Sequence, residues 1–331
     1  MILSRTPFRL PLGGGGTDLP GYYQKHEGFL VTAAINKYMY LSINTPAVVD
    51  TIKINYSKVE IINPRDIHLI KHDLVREALR LLKINKPLEI NSMADLSAGT
   101  GLGSSSSYTV GLLRALNALE RRFVSTYDLA EEACRIEIDL VGKPIGKQDQ
   151  FAAAFGGINV LEIDTLGRVK VSPLKLHQET VYEMEHRLMM FYTNLQRDAN
   201  EILSEQSTKA RQDDEVAVSS MHRIKEIGRE IKTEMERDNI DAFGALMHEH
   251  WMEKKKISRK MSTTKIDQWY EKALKNGAIG GKLMGAGGGG FLLFCVKEGK
   301  RRQLRHALEE EGLRYMDFQF DWEGSKVLVN I

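Results

Sequence analysis

Residues 97–107 read Ser97-Ala98-Gly99-Thr100-Gly101-Leu102-Gly103-Ser104-Ser105-Ser106-Ser107, and the fold and chemistry of the whole chain turn on this stretch. Ahead of it, Pro87, Leu88, Glu89, Ile90 and Asn91 form a short run with strand character. Behind it, Val110, Leu113, Leu116 and Leu119 recur at helical spacing. The glycines therefore join a strand to a helix, and the serines sit where N-caps belong. A helix start of this kind offers free backbone N–H groups and the positive end of a dipole, both suited to a phosphate. Glycine lets the backbone approach the anion with no Cβ in the way. A flexible Gly/Ser linker is the alternative, and the patterned elements on both sides argue against it.

Two familiar phosphate loops are excluded. A Walker A loop places Lys-Ser/Thr after its last glycine, and here no Lys follows Gly103. The segments 142–148 and 277–283 fail in spacing and in their last residue. A dinucleotide fingerprint, Gly-x-Gly-x-x-Gly, needs its third glycine one residue later and an acid on a following strand, whereas Glu120 lies on the helix itself.

With 331 residues the chain is long enough for two domains. Apolar content of 42% and charged content of 27% describe a water-soluble globular protein. A net charge of +2, from 46 basic and 44 acidic side chains, gives no reason to expect nucleic acid. The longest purely apolar run, 291–296, is too short for a bilayer, and no signal-peptide pattern follows Met1. Cys134 and Cys295 lie far apart without metal-ligand spacing. A cytoplasmic protein, a monomer or homodimer without nucleic-acid or membrane partners, is expected.

Strands are expected over 2–12, 30–35, 38–44 and 52–56, and an amphipathic helix over 67–82. Gly13-Gly14-Gly15-Gly16-Thr17-Asp18 concentrates entropic cost in one loop, so either the backbone must pass close to something there or the loop is a loose hairpin. Ser125 and Asp128 resemble a capping box, and Leu129, Ala133, Ile136 and Leu140 form a helical stripe with Glu137 at its edge. A carboxylate there either binds a cation or caps a neighbour. Asp149 is either a plain N-cap or a catalytic carboxylate. A hairpin is expected around Asp164-Thr165-Leu166-Gly167.

A second domain, 179–331, is expected after a first of 1–178. It holds a strand over 188–193, long helices over 199–236 and 241–256, a strand over 291–296, a helix over 301–311 and two closing strands. His248 and His250, two apart on a helix, make a poor metal pair and are read as packing or surface residues. Lys254-Lys255-Lys256 is read as a solvated helix face.

Three glycine clusters in this order resemble the GHMP small-molecule kinases, over nearly the whole chain. Pro7, Arg9, Leu12, Gly14, Thr17 and Asp18 fall in register with the first motif of that family. Gly101-Leu102-Gly103-Ser104-Ser105 matches the second, with Ser97 for its proline and Ser106 for its alanine. Lys282-Leu283-Met284-Gly285-Ala286-Gly287-Gly288-Gly289 matches the third, and Glu137, Gly142, Gly146, Asp149 and Gln150 match the metal and catalytic segment. The resemblance implies an α+β, two-domain fold, with a ribosomal-protein-like first domain and a ferredoxin-like second.

The resemblance also implies Mg·ATP as cofactor. Residues Gly99, Thr100, Gly101, Leu102, Gly103, Ser104, Ser105 and Ser106 would hold the nucleotide, and Ser105 (or Ser104) with Glu137 would hold Mg²⁺. Asp149 would accept or orient the acceptor proton and Arg9 would offset charge on the transferring group. Gly14, Gly15, Gly16, Thr17, Asp18, Gly287 and Gly288 would face the substrate. Galactokinases carry Glu-His where this chain has Gly15-Gly16. The remaining pattern looks like the heptose-phosphate kinase branch, which phosphorylates the anomeric hydroxyl of D-glycero-D-manno-heptose 7-phosphate on the route to activated heptose for capsule, lipopolysaccharide or S-layer glycans. Lys147 and Arg197 are then candidates for the distal phosphate. A kinase of a galactose- or fucose-like sugar, and a sensor without turnover, are the alternatives.

Overall fold

The computed structural model describes residues 1–195, 199–285 and 287–331. Its first half is built on β1 (Ile2–Gly13), β2 (Gly28–Asn44), β3 (Ile52–Asn55), β4 (Val59–Ile62), β5 (Leu88–Ala94), β6 (Ile158–Ile163) and β7 (Val169–Pro173). All are neighbours in one sheet, antiparallel except for the β3–β5 pair. Residues 30–35 and 38–44, expected as two strands, form the single strand β2. Its register against β1 slips between Pro7 and Phe8, so Asn36 and Lys37 are absorbed as a bulge rather than a turn.

One face of the sheet is covered by α2 (Asp73–Leu82), α3 (Ser104–Leu119), α4 (Thr126–Cys134) and α5 (Gln148–Phe155), packed through Leu41, Ile43, Leu88, Ile90, Leu113 and Leu116. The helix expected over 67–82 begins only at Asp73. A 3₁₀ turn, Pro64–Leu69, precedes it, and Glu60 of β4 accepts from the backbone N–H groups of Lys71 and His72. That tertiary contact serves the helix start where no local cap does. The short helix α1 (Pro20–His26) was not anticipated, because Pro20-Gly21 reads as a turn.

The other face, carrying Phe8, Leu10, Leu12, Phe29 and Val31, packs on the second half through α8 (Glu215–Glu236) and α9 (Ile240–Ile257). The second sheet has the order β11-β8-β10-β9 and is antiparallel throughout: β8 (Leu188–Tyr192), β9 (Ala278–Leu283), β10 (Phe291–Val296) and β11 (Arg314–Met316). The helices α6 (Gln178–Arg187), α7 (Ala199–Arg211), α10 (Thr264–Lys275) and α11 (Arg301–Glu309) complete it. The pattern over 199–236 breaks into two helices where Asp213 turns left-handed (φ 55) and Asp214 caps α8 by accepting from the Ala217 N–H.

The last strand, β12 (Lys326–Asn330), was expected within the second half. It instead pairs antiparallel with β1, so the chain ends in the first sheet. Among the described residues no helix is long and apolar enough to cross a membrane.

Candidate active site

Strand alternation sets the direction of the first candidate side chain. With Phe8, Leu10 and Leu12 in the core between the sheets, Arg9 projects to the opposite face, toward the start of α3. Its Nη1 donates to the Gly101 carbonyl at 2.8 Å. Its Nε and Nη2 donate to the two oxygens of Asp149, each at 2.7 Å. Arg9 is 5% exposed while the Asp149 side chain is 25% exposed, so the fork is buried on its guanidinium side and open at its carboxylate. Asp149 lies in the first turn of α5 and does not cap it. Lys147 holds the cap position, and the Asp149 carboxylate is turned to Arg9.

The loop before α3 carries Gly99, Gly101 and Gly103 in left-handed conformation, φ 78, 80 and 80. Gly103, not a serine, occupies the cap position, and residues 104–107 form the first turn. A Cβ on Gly101 would stand 2.6 Å from the Met284 carbonyl oxygen, so the second and third glycine motifs are pressed together through bare backbone. A cleft of about 660 Å³ opens beside this loop, lined by Gly99, Gly101, Gly103, Ser104, Ser105 and Ser106. Its far wall includes Tyr56, Met39, Met93 and Leu96. Thr100 and Leu102 are buried: the Thr100 hydroxyl donates to Ser97 O, and Leu102 packs into the core between the sheets.

Below the loop, Ser105 Oγ donates to Glu137 Oε2 at 2.5 Å, and Gln150 Nε2 donates to Oε1 at 2.9 Å. Glu137 is completely buried rather than placed at the edge of a stripe. The reason is a π-helical segment, Arg135–Leu140, continuing α4. The wider turn shifts the helical phase, bringing Glu137 inward and turning the expected core residue Leu140 out to 42% exposure. Lys143 Nζ donates to Ser105 Oγ at 2.6 Å and lies 3.4 Å from Glu137 Oε2. Sequence reasoning missed this lysine, which marks a position for a cation between a hydroxyl and a carboxylate.

A second cavity shares Arg9, Asp149, Ile145, Leu203 and Gly285 with the cleft beside the glycine loop and adds Gly15, Gly16, Asp18, Gln148, His250, Lys254 and Lys282. Asp18 accepts from the Gly16 and Gln148 backbone N–H groups, each at 3.1 Å. Burial first, then the Asp149 charge, pushes its carboxyl above the ordinary value, while those N–H groups pull it back. Gly146 makes this placement possible, since a Cβ there would sit 2.0 Å from Asp18 Oδ2.

Other expected substrate residues lie elsewhere. Gly14 and Thr17 build the loop, with the Thr17 hydroxyl donating to Gly14 O and Phe29 O. Gly287 and Gly288 pack on Met261, and the Gly288 N–H donates to its carbonyl. Lys147 points away from both cavities, donating to Glu131 and to Gly167 O. Arg197 lies outside the described residues.

Beyond Arg9, the basic residues of the second cavity, His250, Lys254 and Lys282, were also misread or missed. Lys254 was expected on a solvated face, yet it is 8% exposed. It falls on the buried side of α9 with Phe243, Met247, His250 and Trp251, a 3–4 spacing that was the available signal. His250 is buried, whereas His248 accepts or donates toward the Tyr270 hydroxyl at 2.9 Å.

Residues 71–157 match the model of the GHMP kinases N terminal domain, and residues 231–313 that of the GHMP kinases C terminal domain. A D-glycero-alpha-D-manno-heptose 7-phosphate kinase of Campylobacter jejuni subsp. jejuni serotype O:2 is 32% identical over 334 aligned residues, covering 98% of each chain.

The chain belongs to the GHMP kinases.

A galactokinase of Pyrococcus furiosus is 28% identical over 71% of this chain and 70% of its own length. A crystal structure described as a D-glycero-D-manno-heptose 1-phosphate kinase of Bacteroides thetaiotaomicron superposes with a TM-score of 0.82, at 26% identity and 100% coverage of both chains. The GHMP kinase reading of the sequence and its two-domain α+β fold are thus borne out. This GHMP kinase is an enzyme that transfers a phosphoryl group from ATP to an alcohol.

Proposed function

We propose that this kinase phosphorylates the anomeric hydroxyl of D-glycero-D-manno-heptose 7-phosphate, giving the 1,7-bisphosphate for nucleotide-activated heptose in capsule, lipopolysaccharide or S-layer glycans. The observation that carries a kinase reading with a polyhydroxylated acceptor is the Arg9–Asp149 fork standing between two cavities, one lined by the glycine loop and one by Asp18. The full-length likeness to a heptose 7-phosphate kinase supports the choice of acceptor.

In this reading the backbone N–H groups of residues 101–105 cradle the ATP phosphates at the start of α3. The base lies toward Tyr56, Met39, Met93 and Leu96. The buried pair of hydroxyl and carboxylate, Ser105 and Glu137, is a set of hard oxygen donors that fits Mg²⁺ once Lys143 withdraws. Lys143 is 21% exposed at its side chain and has a way out. When bound, Mg²⁺ would neutralise phosphate charge there. Asp18 accepts hydrogen bonds from sugar hydroxyls, a role its two backbone donors leave capacity for. Asp149 orients the attacking hydroxyl and takes its proton, and Arg9 both fixes that carboxylate and counters charge on the transferring group.

The test is ADP release with Mg·ATP and a panel of sugars and sugar phosphates. Turnover favouring heptose 7-phosphate supports the reading. Turnover confined to neutral sugars such as galactose or fucose replaces it, and nucleotide binding without turnover on any sugar indicates a sensor.

A further inference from the structure

Lys254 and Lys282 are each buried in the acceptor cavity, and among the described residues no carboxylate is hydrogen-bonded to them. Lys254 Nζ donates to the Gly285 carbonyl at 2.7 Å, and Lys282 Nζ to the Leu12 carbonyl at 3.0 Å. Each ammonium keeps further N–H donors beyond that single bond. His250, one turn before Lys254 on α9, is 1% exposed, and neither of its ring nitrogens has a hydrogen-bond partner among the described residues. Gln148 Nε2, on the same cavity, is buried and likewise has no partner among the described residues. A buried cation without a counter-charge is unfavourable, and two adjacent ones more so. The strain registers in both lysines. Burial and then Arg9 hold Lys254 down at about 8, and burial and then Lys254 hold Lys282 well below its ordinary value. Asp18 and Asp149, on the same cavity, pull Lys254 back up, each less than Arg9 pushes it down. Such a cluster of donors is complete only when an anion arrives.

We propose that Lys254, Lys282 and His250, with Gln148, form the subsite that receives the acceptor's own phosphate, at the inner end of the sugar cavity. The proposal rests on the sugar-phosphate reading above and replaces Lys147 in that role. The placement separates this phosphate from the one being transferred. His250, Lys254, Lys282 and Gln148 line the cavity that holds Asp18, and none of the four lines the nucleotide cleft, whereas Arg9, Asp149 and Gly285 line both. A phosphate monoester carries about −1.5 to −2 charge at neutral pH, enough to balance both ammonium groups. It also accepts several hydrogen bonds, which suits His250 and Gln148. A neutral sugar would leave the cations unbalanced, so the subsite selects for a phosphorylated acceptor.

The test compares the wild type with Lys254→Met and Lys282→Met, each of which replaces a buried charge by an apolar chain of similar length. The acceptor is the sugar phosphate that the wild type uses best, and its dephosphorylated form serves as control. For either variant, KM for the phosphorylated acceptor should rise about 10- to 100-fold while kcat and the KM for ATP stay within a few-fold, because one charge-assisted contact is lost from binding alone. The Lys254→Arg variant should recover part of that loss. Weak turnover of the neutral sugar should be unchanged or improved. An equal fall in kcat on both acceptors, with KM unchanged, would overturn the proposal and place the lysines on the transferring phosphoryl group. A wild type that prefers neutral sugars overturns both this proposal and the functional reading. A wild type that prefers another sugar phosphate refutes the heptose assignment and leaves the subsite to be judged on that acceptor. Where a Met variant does not fold, by circular dichroism, His250→Gln gives the same discrimination.

Discussion

Arg9 grips Asp149 through two parallel hydrogen bonds, Nε to Oδ1 and Nη2 to Oδ2, each 2.7 Å long. The same guanidinium reaches the Gly101 carbonyl through Nη1. One side chain therefore fixes the Asp149 carboxylate against the glycine loop before α3. Asp149→Asn keeps shape and loses the charge, and kcat should fall by about 10²- to 10⁴-fold. Circular dichroism and the ATP dissociation constant should stay near wild type. Turnover within a few-fold of wild type would remove Asp149 from the proton-transfer role.

Lys143 lies against the Ser105 hydroxyl and the Glu137 carboxylate, the pair proposed to hold Mg²⁺. Lys143→Met should leave Glu137 buried with one fewer donor and lower the melting temperature of the nucleotide-free protein. The same variant should need less Mg²⁺ for half-maximal activity, because no ammonium competes for the two oxygens. A Mg²⁺ titration checks this. An increased requirement would mean that Lys143 itself contacts the phosphates.

Gly146 is held against Asp18, where a methyl group would lie 2.0 Å from Oδ2. Gly146→Ala should displace the carboxylate and lower kcat/KM for the acceptor on the order of 10²-fold, the scale of a misplaced positioning group. ATP binding, which uses the other cleft, should be unaffected. Equal loss of nucleotide affinity would show that the substitution acts through the fold instead.

The pH dependence of acceptor binding follows from Lys254. Arg9 on β1, Lys282 on β9 and His250 on α9 face it with like charge or burial, and Asp18 and Asp149 face it with opposite charge. Its value of about 8 means that the charged form is lost as pH rises through that point. KM for a phosphorylated acceptor should therefore climb about tenfold per pH unit above it, and Lys254→Met should flatten the climb. The stability sign is opposite. The folded value lies below the ordinary lysine value of about 10.4, so between the two the unfolded chain binds more protons and stability rises with pH. Urea titrations at several pH values would check the second part.

Arg9, Ser105, Asp149 and Asp18 were legible because each stands in or beside a glycine motif whose spacing constrains it. Glu137 was legible as a candidate but not in its burial, since the π turn that rotates it leaves no mark on a 3.6-residue pattern. Lys254 was hidden inside Lys254-Lys255-Lys256, where composition suggests solvent and only the register with Met247 and His250 says otherwise. Lys147 was a candidate for the distal phosphate in sequence and is held by Glu131, a partner that only the packing of α4 beside α5 supplies. The ends of the chain meet through the β1–β12 pair, and nothing local to residues 326–330 announces a partner more than three hundred residues away.

The most direct measurement is phosphorus NMR of the product after incubation with Mg·ATP and D-glycero-D-manno-heptose 7-phosphate. The account predicts ADP and a second phosphomonoester signal coupled to the anomeric proton, absent with Asp149→Asn. Recovery of unchanged heptose 7-phosphate beside active turnover of an unphosphorylated sugar would contradict it.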